Sequence, residues 1–364
     1  MNRTLGRSTL MALLALIAVT AIVPVADAKK AKAKKNDANV TVMTRNLYLG
    51  TDLIPIAAAP TLPEFEQRAT AGFNQVRATN FPARAKLIAR EVKRTKPDLI
   101  GLQEASLWRT GPKGNPAPAT KVEYDYVKLL VRALKRIGLR YAVAKTTNEA
   151  DIEGPTASGF DVRLTMRDVV LVNKERKGLR ITGRGGANYT ARIPFPTQAG
   201  TFNVLRGYAY VNAKLGKRKL RFVDTHLEAY LEATRVAQAQ ELVAPGGPIK
   251  GQRVIVVGDM NSDPNGAGGS PPGAWNVLTA GGLRDTWPRL YPSRPGYECC
   301  LKTDSLTDPP SPSPFDHRID QIFTKGKVRP LSAKIVGTNP ANSRTKSGLW
   351  ASDHGGVVTK LKLK

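Results

Sequence analysis

Five apolar runs in this sequence of 364 residues stand next to side chains that hold cations, bind anions or move protons. VTVMTR ends in Asn46, DLIGLQ in Glu104, LRFV runs into Asp224 and His226, RVIVVG runs into Asp259 and Asn261, and the last run is preceded by Asp353 and His354. A lone Asn or Asp after a strand is ordinarily a turn residue. Acids, amides and imidazoles at the ends of five runs in one chain point instead to a shared rim. Carboxylates and amides there supply hard oxygen donors, which suit Mg²⁺ better than zinc. A histidine titrating near neutrality is a proton carrier. Glu104 follows Leu99, Ile100 and Leu102 so closely that its carboxylate is costly unless a cation or hydrogen bonds meet it.

Those residues need strands to carry them. Short apolar runs bounded by breakers predict buried strands at VTVMTRN, DLIGLQE, DVVLVN, YAYVNAKL, LRFVDTHL, RVIVVGDMN, RIDQIFTKG and GGVVTKLKL. Helical spacing predicts helices over Phe81–Arg94, Tyr126–Ile137 and Leu231–Val243. Hairpins mixed with helical crossovers give an α+β class with mixed sheets rather than a doubly wound parallel one. No Pro/Ser-rich linker or internal repeat divides residues 40–364, so they read as one domain with loop-sized Pro-rich patches.

The ordered series TRN (Asn46), LQE (Glu104), DTHL (Asp224, His226), GDMN (Asp259, Asn261), RID (Asp320) and SDH (Asp353, His354) resembles the endonuclease/exonuclease/phosphatase superfamily. That resemblance spans Val40 to about Leu363. It implies a four-layer α/β/β/α sandwich of two mixed sheets, like deoxyribonuclease I, with the site at one rim and Mg²⁺-dependent phosphoester cleavage by in-line attack of water; Mn²⁺ or Ca²⁺ are alternatives. It implies further that Asn46, Glu104 and Asp353 hold the metal. His354, oriented by Asp320, would abstract a proton from water or clamp the phosphate. Asp259 and Asn261 would position nucleophile and phosphate, and His226 would bind the phosphate or protonate the leaving oxygen. THL is closer to the deoxyribonuclease I, sphingomyelinase and 5-phosphatase branches than to the exonuclease III-type repair enzymes. NLYLGTDL and GYECC resemble a secreted bacterial subgroup.

Charge and targeting set the remaining expectations. Lys and Arg number 56 against 29 Asp and Glu, a formal net charge of +27, which favours a polyanionic partner. Residues 1–28 read as a secretory signal: Arg3 and Arg7, an apolar run from Leu10 to Val25, and cleavage after Ala28. Residues 29–39 read as a disordered basic arm, and no later stretch is apolar enough to span a membrane. Between Lys174 and Arg221 stand twelve basic residues and one acid, Glu175. This stretch, with GKRK as a turn and TGRGGANYTAR as a loop, is expected to grip phosphates, and Arg206 within it is the candidate substrate contact. The leading expectation is a secreted nuclease-like phosphodiesterase with little sequence preference. The alternatives are a sphingomyelinase- or phospholipase C-like hydrolase at anionic membrane surfaces, or a non-catalytic polyanion-binding envelope protein. Adjacent Cys299 and Cys300 exclude a disulfide scaffold and carry no zinc-site spacing; they are either reduced thiols or a strained vicinal bridge. Core packing is the expected role of Trp108 and Trp350; their alternative, from their places close to Glu104 and Asp353 in sequence, is to line a substrate rim.

Overall fold

The structure, a computed structural model, describes residues 38–311 and 313–364. The expected signal segment and residues 29–37 of the expected arm lie outside the described residues. β1 (Asn39–Asn46) leads through α1 (Ile54–Ala57), α2 (Leu62–Ala78) and α3 (Phe81–Thr95) to β2 (Leu99–Gln103), β3 (Leu107–Pro112) and β4 (Lys121–Asp125). After α4 (Tyr126–Arg136) come β5 (Tyr141–Pro155), β6 (Phe160–Asn173), β7 (Leu179–Asn188), β8 (Ile193–Thr197), β9 (Gly200–Val204), β10 (Gly207–Leu215) and β11 (Arg218–His226). The chain closes with α5 (Glu232–Val243), β12 (Arg253–Asp259), α6 (Gly273–Ala280), β13 (Arg284–Asp285), α7 (Thr286–Leu290), β14 (Asp320–Gly326), β15 (Val328–Val336), α8 (Pro340–Ser343) and β16 (Gly356–Leu363).

An eight-stranded sheet has the order β15-β16-β1-β2-β6-β3-β4, with β5 also on β6, and a six-stranded sheet has the order β13-β14-β12-β11-β10-β7. β1–β2 and β11–β12 are parallel among antiparallel neighbours, so both sheets are mixed. Three apolar layers separate four layers of structure. Helices α2 to α4 bury Phe73, Ile88 and Leu130 against Met43, Ile100 and Leu102. The two sheets face each other through Val42, Leu99 and Val170 on one side and Phe222, Ile255 and Val257 on the other. Helices α5 and α6 cover the second sheet's outer face through Leu242 and Leu278 on Val223 and Val256. This is the expected α/β/β/α sandwich.

The predicted helices follow local chemistry. In α3, Asn80 caps the amide of Ala83, a proline occupies the first turn, and Lys93 and Arg94 sit in the last turn against the negative end of the helix dipole. Asp125 caps α4 at Lys128, and that helix too ends in basic residues. α2 escaped the periodicity reading because its buried stripe is Phe65, Ala69, Gly72, Phe73 and Val76, with two small residues in the middle. One expectation is corrected in β7: TGRGGAN is strand, not loop. Its glycines let it lie against the tyrosines of β10, since a Cβ on Gly185 would stand 2.5 Å from the Tyr210 ring.

Parallel and antiparallel pairing together bring the motifs to one rim. His226 pairs with Asp259, Asp259 with Asp320, and Asn46 with Gln103, while Arg45 pairs with Gly356 just after His354. Strand ends of β1, β2, β11 and β12 thus meet strand beginnings of β14 and β16.

Candidate active site

Two buried arginines fasten the rim. Arg45 pairs with Glu91 at 3.1 Å and donates to the carbonyls of Asn46 and His354, and Arg84 of α3 donates to the carbonyls of Leu47, Tyr48 and Ala351. Glu104 and Asn261 both have positive φ, 52° and 48°, a conformation that costs a non-glycine residue energy and is held here by its surroundings. That backbone turn aims each side chain off its strand into the rim.

The metal-ligand candidates converge. Asn46 Nδ2 donates to Glu104 Oε1 and to Asp259 Oδ2, each at 3.0 Å, and Glu104 Oε2 accepts from the amide of Leu49 at 2.7 Å. Burial, and then the charge of Asp353, push the Glu104 carboxyl above its usual range. Asn46 Oδ1 accepts from the amide of Tyr48 at 2.8 Å, so the nitrogen of that side-chain amide faces the carboxyls. The hard oxygen donors here are the carboxyls of Glu104 and Asp353, a crowded pair that a divalent cation would relieve, and these fit Mg²⁺, with Asn46 joining them once its amide turns over.

Two histidines flank Asp259 in opposite states. His226 Nε2 lies 3.5 Å and His354 Nε2 3.8 Å from Asp259 Oδ2. Burial, Arg206 and His354 hold His226 well below the usual histidine pKa. Burial alone would do the same to His354, but Asp320, with its Oδ2 2.6 Å from His354 Nδ1, and the neighbouring Asp353 and Asp259 hold it well above. Burial lifts the Asp259 carboxyl to about 6, with His354 opposing and Asp320 adding to the shift. Asn261 Nδ2 donates to the Leu227 carbonyl at 2.9 Å and lies 3.2 Å from His226 Nε2. Arg206, buried, sets Nη1 2.9 Å from His226 Nδ1 and lies 3.8 Å from both Glu149 and Glu228.

The rim therefore gathers Asn46, Glu104, Arg206, His226, Asp259, Asn261, Asp320, Asp353 and His354. Asp224 is not among them. It points between the sheets, where it accepts from Gln103 Nε2 and from the amide of Leu102, and Gly101 leaves it room: a Cβ there would stand 2.3 Å from Asp224 Oδ1. Trp108 and Trp350 are core residues whose indoles donate to the carbonyls of Leu49 and Asp308. Most of the basic stretch lies elsewhere. Lys174, Lys177, Arg180, Lys214, Lys217, Arg218 and Lys219 cluster where β6 ends, β7 and β11 begin and β10 ends, opposite the His226 end of the sheet. Nine residues of β11 separate the two ends, roughly 25 Å.

Sequence reasoning missed three supports. Glu149 and Asp168 are buried together under His226, and Asp168, an acid opening the run DVVLVN, carries the same signal that marked Glu104. Glu298 of GYECC accepts from the amides of Ile319 and Asp320, both at 2.8 Å, and so holds the start of β14. Beside it Cys299 and Cys300 form a vicinal disulfide, and Cys299 Sγ lies 3.4 Å from His354 Nε2. The leucines of NLYLGTDL also gain a role: Leu49 and Leu53 line the cavity at the site.

A four-layer sandwich with acids, amides and two histidines at one rim defines the deoxyribonuclease I-like class. The model of the Endonuclease/Exonuclease/phosphatase family matches residues 70–354, and the chain belongs to that family. No curated protein matches. Among solved structures, the fold is similar to an endonuclease/exonuclease/phosphatase from Bacteroides vulgatus at 16% identity (90% of this chain, 99% of that one, TM-score 0.53). It is similar to a mannosyl-6-phosphatase from Bacteroides thetaiotaomicron at 16% identity (88% and 99%, TM-score 0.53). It is also similar to D. rerio TDP2 complexed with single-stranded DNA product at 17% identity (89% and 99%, TM-score 0.51). Among the described residues no helix is long and apolar enough to cross a membrane.

Proposed function

We propose that this protein is a secreted, divalent-metal-dependent hydrolase that cleaves phosphodiesters. The observation that carries the reading is the placement of His226 and His354 on either side of Asp259, 3.5 and 3.8 Å from its Oδ2, next to Asn46, Glu104 and Asp353; burial and Arg206 push the first histidine toward its neutral form and Asp320 pushes the second toward its cationic one. A bound Mg²⁺ would be held by those three residues and would supply charge neutralisation to the phosphate. His354, protonated on Asp320, clamps a phosphate oxygen rather than taking a proton. His226, neutral with an N–H facing Asp259, hydrogen-bonds a second oxygen, and Asn261 a third. That leaves Asp259, poised near neutrality, to take the proton of the attacking water.

Nucleic acid with little sequence preference is the leading substrate, supported by the net charge of +27 and by the DNA product held by one structurally similar protein. The displacement of the basic stretch to the far rim weakens that support. A lipid phosphodiester is the second reading, favoured by the apolar wall of the site cavity. Purified mature protein incubated with plasmid DNA, RNA, sphingomyelin and a phosphate monoester, with Mg²⁺ or chelator, tests both against Asp259→Ala and His226→Ala. Chelator-sensitive DNA loss abolished in both variants supports the first reading, and headgroup release alone the second. Binding of DNA without turnover of any substrate overturns both in favour of a polyanion-binding scaffold.

A further inference from the structure

We propose that the cavity at the active site seats a hydrocarbon substituent, so that the phosphodiester cleaved here carries an alkyl or aryl group on one ester oxygen. The inference rests on the phosphodiesterase reading above and narrows its substrate class. The cavity, of about 220 Å³, has Glu104, His226, Asp259, Asn261 and His354 in its lining, so whatever fills it adjoins the reacting phosphate. Its remaining wall is built from three separate places in the chain: Leu53 and Ile56 of α1 and the residue before it, Ile152 and Met166 of β5 and β6, and Phe195 and Phe202 of β8 and β9.

Two features argue that this wall is a seat rather than leftover core. β8 and β9 form a two-stranded ribbon of their own, and their alternation leaves Phe195 and Phe202 half-buried on one face while Pro194, Pro196, Thr201 and Asn203 are exposed on the other. Phe202 is braced edge-on by Phe65 of α2 at 6.1 Å, which fixes the ribbon's apolar face toward the site. The wall then continues to the surface: Tyr230, 54% exposed, lines the cavity and stands beside Leu231, 49% exposed. A groove for a polyphosphate backbone would offer cations along this path. Among the described residues the lining holds one Arg or Lys, Arg206, whose charge faces Glu149 and Glu228. An apolar cavity of about 150 Å³ already accepts benzene, so this one has room for a ring or a short alkyl segment beside the phosphate.

The test uses the mature protein with Mg²⁺ and four phosphate diesters that share one methyl ester and whose second substituent is methyl, hexyl, benzyl or 5′-thymidyl, with cleavage followed by phosphorus NMR. Each buried methylene is worth about fourfold in kcat/KM, so hexyl or benzyl should exceed methyl by about tenfold or more, and Phe202→Ala should shrink that ratio in a protein that melts cooperatively. Hexyl above benzyl assigns the seat to alkyl chains, and the reverse order assigns it to rings. Equal rates for methyl, hexyl and benzyl, or thymidyl above all three, overturn the inference and leave the phosphodiesterase reading standing. No cleavage of any diester overturns both.

Discussion

Nη1 of Arg206 lies 2.9 Å from Nδ1 of His226, and a guanidinium can only donate. The contact therefore puts the lone pair of the ring on Nδ1 and its proton on Nε2, facing the Asp259 carboxyl; Asn261 Nδ2, itself a donor 3.2 Å from Nε2, then gives its hydrogen bond to the Leu227 carbonyl instead. Burial and the adjacent positive charge keep the ring neutral. A buried arginine thus sets the tautomer of this histidine and adds to burial in lowering its pKa, while its own charge lies 3.8 Å from Glu149 and Glu228.

Arg206→Lys keeps the charge and loses the rigid fork. We expect kcat to fall by about 10–100-fold, the usual cost of removing a partner that orients an active-site ligand, with His226 populating both tautomers in proton–nitrogen correlation spectra. A single retained tautomer with wild-type kcat would show that another group holds the ring.

Asp259 sets the acid limb of the rate profile. With its carboxyl at about 6 and activity requiring the carboxylate, the rate should be level above that pH and fall about tenfold per unit below it. Asp259→Asn should lower kcat by about 10²–10⁴-fold and erase the limb. A limb that persists in the variant belongs to another residue.

The rim was legible in the sequence because its side chains stand at the ends of apolar runs, and strand ends on one edge of a sandwich must meet. Eight predicted strands and three helices carry nearly all of it. The supports were less legible. Glu149 lies inside the fifteen-residue β5 with no apolar run to mark it, and it acquires meaning only through a hairpin that places it under His226. Glu298 works through backbone amides of Ile319 and Asp320, which no side-chain pattern announces. The basic stretch misled for a physical reason: proximity in sequence to Arg206 says nothing about which end of an antiparallel strand a residue occupies. β10 and β11 carry Lys214, Lys217, Arg218 and Lys219 to the rim opposite His226.

The Glu149–Asp168 pair should make stability fall as pH rises. Burial pushes Glu149 up to about 8, with Arg206 opposing, and burial and Glu149 push Asp168 well above its ordinary value, so the folded pair keeps a proton that the unfolded chain gives up near 4.5. A raised carboxyl pKa contributes stability that is full below the unfolded value and lost as pH rises through the folded one. Glu149→Gln should therefore gain on the wild type between about pH 5 and 8, by at most roughly 1.4 kcal/mol per pH unit. Parallel denaturation midpoints across that window would contradict a shared proton.

Metal binding should be visible without turnover. Burial and Asp353 hold the Glu104 carboxyl up, so Mg²⁺ should release protons on binding, and calorimetry in buffers of different ionisation enthalpy will count them. At a hundred times Kd the ion should add about 2.7 kcal/mol to stability. Glu104→Gln should lose both effects; a variant that keeps them would place the ion elsewhere.

Lys219 and Lys250 line a groove at the far end of the six-stranded sheet together with Lys214, Arg221 and Arg253. At roughly 25 Å from His226, beyond two Debye lengths at physiological salt, their charge is screened from the reacting phosphate. Lys219→Glu combined with Lys250→Glu should therefore leave kcat/KM for a small diester within about twofold, while a long polyanion loses affinity and salt dependence. If instead the small diester slows tenfold, the field of the far rim reaches the site, and the basic stretch acts on the reacting phosphate despite its distance.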